Sequence, residues 1–153
     1  MSGVPELATM SVWEFDVFDI PDKRVLMGVM WRLIDALGVG SDLGVSESSL
    51  QGFVQDVAVG YRDNPFHNLH HATCVTHFTY MLINAWDAKK FLSSQQVLAV
   101  ILSSVAHDVD HPGNANQFEI NSQSDMSLMY KGRGSTQYTL PLTILQHTLT
   151  FVP

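Results

Sequence analysis

The chain has 153 residues, of which 46% are apolar and 15% charged. That is enough for one domain with its own core and too few for a multidomain assembly. Eight basic residues stand against 15 acidic ones, a net charge of −7, which argues against the basic stripe of a nucleic-acid binder but not against a small anionic substrate, since bound metal ions can outweigh the local negative field.

Residues 1–12 form a lead without the basic and apolar regions of a secretory signal. Trp13, Phe15 and Phe18 then form an aromatic set, closed by Pro21. Val25, Leu26, Val29, Met30, Leu33, Ile34 and Leu37 share one face of a predicted helix, which Gly38 ends as a left-handed cap. Residues 38–45 read as a glycine-containing loop. Leu50, Phe53, Val54, Val57, Ala58 and Tyr61 define a second amphipathic helix, with Ser46 as its N-cap.

Pro65 interrupts, and residues 67–86 are predicted as a third helix whose apolar face includes Val75, Leu82, Ile83 and Trp86. Ser93 and Gln96 make a capping box for a fourth. That helix, Val97 to Ala106, is apolar nearly all round and is expected to be central. Pro112 is expected to start a further helix, and residues 113–121 and 124–130 read as two short ones. Strand-like alternation is confined to Gln137–Leu140. The fold class is therefore all-α. The segment 131–153, with two basic residues and no acid, is expected to be poorly ordered. The longest apolar run, Val97–Leu102, is far too short to span a membrane. The single cysteine, Cys74, allows no internal disulfide and is expected to pack as a small apolar residue, so a reducing, cytoplasmic compartment is expected.

Six of the seven histidines fall between His67 and His111. All but His77 fall in two clusters, YRDNPFHNLHHA at 61–72 and HDVDHPGNANQF at 107–118. His67 and His71 are four apart and would share a helical face. His107 and Asp108 follow the apolar helix, where side chains can project into a cleft. Imidazoles and carboxylates without thiolate suit Zn, Mn, Mg or Fe rather than a structural cysteine site. Four ionisable groups within His107–His111 are costly to bury unless paired or metal-bound. A zincin protease is excluded because Asn68 stands where a general-base Glu is needed. No nucleophile elbow and no phosphate-cradling Gly-Lys-Ser/Thr loop is present.

These two clusters, about forty residues apart, resemble the class I cyclic nucleotide phosphodiesterases. The resemblance runs from Trp13 to Tyr130 and includes Asp16–Phe18, the Leu50–Tyr61 helix, Pro112, Gly113, Asn116 and Phe118. It implies an all-helical catalytic domain, present in part over residues 13–130, that hydrolyses cAMP, cGMP or both to the 5′-monophosphate. By position, His67 resembles the general acid that protonates the leaving 3′ oxygen. His71, His107 and Asp108 resemble metal ligands, with the aspartate bridging Zn²⁺ and a second metal, Mg²⁺ or Mn²⁺. His111, Asp110 and Asn116 resemble residues that support the site, and His67 and Asp108 would also meet substrate. His70 and His77 are expected to pack. The metals would neutralise the phosphodiester and lower the pKa of a bridging water, and an imidazole is suited to protonate the leaving group.

Two departures stand out. Phe66 occupies a position where the family usually has Tyr, and after Tyr130 the family continues with a further helical half. That half supplies a fourth ligand aspartate, a purine-holding glutamine and an aromatic clamp, whereas here all 15 acids lie between Glu6 and Asp125. The expectation is therefore a truncated chain with weak or no activity. The alternatives are a non-catalytic metal- or partner-binding remnant that self-associates through exposed apolar faces, and another metal-dependent phosphohydrolase.

Overall fold

The computed structural model describes residues 3–129. The 131–153 tail, expected to be poorly ordered, the strand-like residues 137–140 and Tyr130 lie outside them. Among the described residues every regular element is helical, as the periodicity requires. The helices are α1 (Leu7–Met10), α2 (Lys23–Ala36), α3 (Val39–Asp42), α4 (Glu47–Gly60), α5 (Leu69–Ala85), α6 (Ser94–Ala106), α7 (Asn116–Asn121) and α8 (Asp125–Met129).

The core is centred on α2. Leu26, Val29, Met30, Leu33 and Ile34 are all fully buried, and α2 contacts α3, α4, α5 and α6. Asp22 caps it by accepting from the Arg24 amide at 2.8 Å, and Gly38 ends it with a φ of 72°. The segment read as a loop after Gly38 contains the short helix α3, whose Val39 and Gly40 are buried. Ser46 caps α4, as its type and position imply.

The apolar helix α6 is less central than its composition suggests. Val97, Ile101 and Val105 are buried, but Val100 is 45% exposed. No element among the described residues covers that side. The capping box forms as expected, the Ser93 amide donating to Gln96 and the Gln96 amide to Ser93.

Two expectations for α5 are corrected. The helix starts at Leu69, not at residue 67, because Asn68 caps it by accepting from the His71 amide at 3.1 Å. Its buried face is Leu69, Ala72, Thr73, Thr76, His77, Tyr80, Met81 and Ile83, of which only Ile83 was expected there, while Trp86 is 70% exposed. Apolar periodicity missed the rest of that face because two threonines and a histidine lie on it. The threonine hydroxyls donate to Leu69 and Ala72 carbonyls one turn back, which makes them cheap to bury. The N-terminal aromatics each sit on a residue of α5. Trp13 meets Phe78 edge-on, Phe15 tilts against His77 and Phe18 stacks on His70.

Pro112 starts no helix. Residues 111–115 form an open turn through Gly113 at φ 82°, and α7 begins at Asn116.

Candidate metal centre

The packed pair α5 and α6 brings the two histidine clusters together. His71 lies in the first turn of α5. His107 is the C-cap of α6 and Asp108 follows it. His107 Nε2 lies 3.2 Å from His71 Nε2 and 3.1 Å from Asp108 Oδ2, and His71 Nε2 lies 3.4 Å from the same carboxylate oxygen. Among the described residues this is the group of three donors able to hold a metal ion.

The size of the triangle tests the fit. Four ligands held ~2.0–2.1 Å from Zn²⁺ at tetrahedral angles stand about 3.3 Å apart. The three observed edges lie within a few tenths of an ångström of that value, so the donors fit a zinc-sized cation without rearrangement. Octahedral Mg²⁺, at ~2.0–2.1 Å, wants edges near 2.9 Å, which is tighter than any edge here.

Each donor is held from behind. His107 Nδ1 lies 2.8 Å from the Ser104 carbonyl, which can only accept, so Nδ1 carries a proton and the ring, when it loses its second proton, turns an Nε2 lone pair into the triangle. The Asn68 cap fixes the backbone of His71. Asp108 is anchored through its amide, which donates to the Tyr61 hydroxyl at 3.3 Å, and the same hydroxyl donates to the Val105 carbonyl at 2.8 Å. Tyr61 belongs to the recognisable first cluster, but nothing in its spacing shows that its hydroxyl reaches across 47 residues.

The electrostatics suit a cation. Burial and the positive character of His107 hold His71 below its ordinary value. Burial also pulls His107 down, but hydrogen bonds with Asp108 and Ser104 outweigh it and leave the ring raised. Asp108 resists the upward pull of burial and is lowered by the hydrogen bond from His107 and by the surrounding imidazoles.

His67 lies beside the triangle, not on the helical face expected for it. It precedes the cap of α5, so helical spacing no longer relates it to His71. Its ring stands 5.9 Å from that of His71 and stacks on His111 at 3.9 Å with an angle of 16°. His111 is buried, and its Nδ1 accepts from the Gly113 amide at 3.0 Å, which leaves the proton of the neutral ring on Nε2. Burial first, then the neighbouring His67, lowers it. Phe66, 62% exposed, covers one side of this group with its ring 4.7 Å from that of His71.

Asp110 turns to solvent at φ 58° and pairs with Arg62 at 2.7 Å, away from the donor triangle. Asn116 opens α7. His70 bonds the Ile20 carbonyl and His77 the Met10 carbonyl, each at 2.8 Å. Both are packing residues, as expected. Cys74 is half-buried against the core, and burial raises its thiol.

Residues 66–140 match the family described as 3′5′-cyclic nucleotide phosphodiesterase. The chain belongs to this family. The histidines of both clusters fall within the match, and the chain corresponds to the N-terminal part of the family's catalytic domain. The cGMP-specific 3′,5′-cGMP phosphodiesterase 3 of Dictyostelium discoideum is 33% identical over 73% of this chain and 24% of its own length. The dual specificity calcium/calmodulin-dependent 3′,5′-cyclic nucleotide phosphodiesterase 1C of Mus musculus is 30% identical over 85% of this chain and 19% of its own length. The phosphodiesterase domain of a RhoPDE fusion protein from Salpingoeca rosetta superposes with a TM-score of 0.78 at 32% identity, over 94% of this chain and 44% of that domain. The chain thus spans a quarter or less of these curated relatives and under half of the solved domain. No helix among the described residues is long and apolar enough to cross a membrane.

Proposed function

We propose that the chain acts in hydrolysis of 3′,5′-cyclic nucleotides to 5′-monophosphates, in cyclic nucleotide signalling. The observation that carries this is the three-donor triangle beside the stacked His67–His111 pair, built from residues inside the family match. His71, His107 and Asp108 would hold Zn²⁺, and the carboxylate's two oxygens let Asp108 also serve a second cation, Mg²⁺ or Mn²⁺. Bound cations would neutralise the cyclic phosphate and supply an activated water at neutral pH. Asp108 would thereby also lie against the substrate phosphate. His67 would protonate the departing 3′ oxygen, a task suited to imidazole near pH 7. His111 would donate its Nε2 proton to oxygens on the same side. Asp110 would hold Arg62 at the rim, and Asn116 would support the turn after His111. The relatives named above are cGMP-specific and dual-specificity enzymes, and no purine-reading residue is identified here.

A second reading has its own observation. Three donors, not four, converge among the described residues. A metal- or partner-binding protein without turnover would look the same, and α6 leaves Val100 open for a partner or a second copy.

One assay tests both. The 153-residue chain is loaded with Zn²⁺ and Mg²⁺, and turnover of cAMP and cGMP is measured beside the His67→Ala variant. Slow turnover that His67→Ala abolishes is expected. Zinc binding with no turnover of either nucleotide would overturn the hydrolytic reading in favour of the second.

A further inference from the structure

Asn64 sits between the two histidine clusters without belonging to the donor triangle. Its Nδ2 donates to the His67 carbonyl at 3.1 Å and to the His111 carbonyl at 2.7 Å. A side-chain amide nitrogen carries two hydrogens, so the two carbonyls satisfy it fully, and they fix its orientation because Oδ1 cannot donate. His67 and His111 are 44 residues apart in sequence, and their ring stack at 3.9 Å has one side-chain tie between the two backbones that bear it. Asn64 is itself held, because Asn68 Nδ2 donates to its carbonyl at 2.9 Å. The opposite face of its amide is closed by Gly113. A Cβ there would lie 2.8 Å from Asn64 Oδ1, and the glycine's φ of 82° suits no ordinary side chain.

We propose that Asn64 is a positioning residue that latches the His67 loop to the His111 turn and so sets the imidazole stack beside the metal centre. The donor triangle does not depend on this latch. His71 hangs from Asn68, His107 from Ser104 and Asp108 from Tyr61. The latch would therefore govern where the proton-donating ring stands and leave metal capture alone. Its consequence for chemistry rests on the role proposed above for His67, but its geometry does not, and the test reads geometry.

The experiment uses NMR on the full chain with Zn²⁺ bound, following the nuclear Overhauser cross-peak between the His67 and His111 rings, alongside a zinc titration. The variants are Asn64→Asp, which keeps the shape but is an acceptor only at neutral pH, Asn64→Ala, and Gly113→Ala. Loss of the ring cross-peak in all three, with zinc affinity unchanged, is expected. Persistence of the cross-peak in Asn64→Asp and Asn64→Ala would overturn the latch. So would a parallel loss of zinc binding and cooperative unfolding in Asn64→Asp, since that would make Asn64 a general structural residue. Absent nucleotide turnover by the unsubstituted chain, with the expected cross-peak losses in the variants, would count against the hydrolytic reading and leave the latch standing.

Discussion

Replacing Tyr61 by Phe removes one oxygen and strands two backbone groups. The Val105 carbonyl loses its donor at 2.8 Å and the Asp108 amide loses its acceptor at 3.3 Å. Tyr61 is 6% exposed, so water replaces the hydroxyl poorly at the Val105 end, while the half-buried Asp108 amide can be partly rehydrated. An unsatisfied buried group costs roughly 1–3 kcal/mol, and with one end rehydrated about 1–2 kcal/mol is expected. For a chain of this size each kcal/mol moves Tm by about 2–4 °C, so Tm should fall by about 2–8 °C. Because the amide that is freed belongs to Asp108, zinc affinity should also drop, by roughly tenfold or more as for outer-shell partners in general. The wild-type hydroxyl serves across the working range because burial raises it well above its ordinary value of 10.0. A raised folded value means that its contribution is fully present below pH 10 and is lost as pH climbs above it. Thermal unfolding followed by circular dichroism, with and without zinc, reads both effects. A Tm within about 1 °C of wild type together with unchanged zinc affinity would refute the reasoning.

Zinc should bind with proton release. His107 is raised above its ordinary 6.5, so near that pH it must give up a proton to coordinate, and calorimetry in buffers of different ionisation enthalpy should show the release fading as pH rises. Gly60→Ala should destabilise, because its Cβ would meet Val109 Cγ2 at 2.6 Å. Overpacking of this kind costs about 1–3 kcal/mol, and displacing the neighbour of Asp108 should weaken zinc binding, measurable in the same titration. Arg62→Ala should change stability by less than about 1 kcal/mol in urea unfolding, because the Arg62–Asp110 pair is exposed on both sides. His70→Ala should lower Tm through the lost Ile20 bond and Phe18 stack while leaving zinc affinity intact.

The helices were legible where one face alone carries the burial. The period in α2 and the Ser46 and Ser93 caps are local signals, and the structure realises them. The face of α5 was not legible, because Thr73 and Thr76 are buried by hydrogen bonding one turn back, which hydrophobic spacing does not register. Nor was the start of α5. Asn68 stands in the sequence where a zincin would have its catalytic base, and its action as an N-cap takes His67 out of the helix. The triangle of His71, His107 and Asp108 was legible as a motif because a family pattern carries it. The supports were not, since Tyr61 and Asn64 act over 44 to 47 residues through single hydrogen bonds, and nothing local marks such a partner.

The supports also explain how the donors keep a cation-sized spacing. Two imidazoles and a carboxylate confined to a triangle of 3.1–3.4 Å edges would drift apart if their backbones were free. Here each is tied to a different place. His71 hangs on the cap of α5, His107 on the last turn of α6, and Asp108 on the end of α4 through Tyr61. Three helices thus converge on one point, and Val105, Ala72 and Val57 behind it are all buried. Metal capture then depends on the α4–α5–α6 junction. The His67–His111 stack belongs to the loop and turn that Asn64 bridges. One fold carries two separable devices, a rigid donor triangle and a latched imidazole pair, and substitutions should divide cleanly between those that lose zinc and those that only move the imidazole stack.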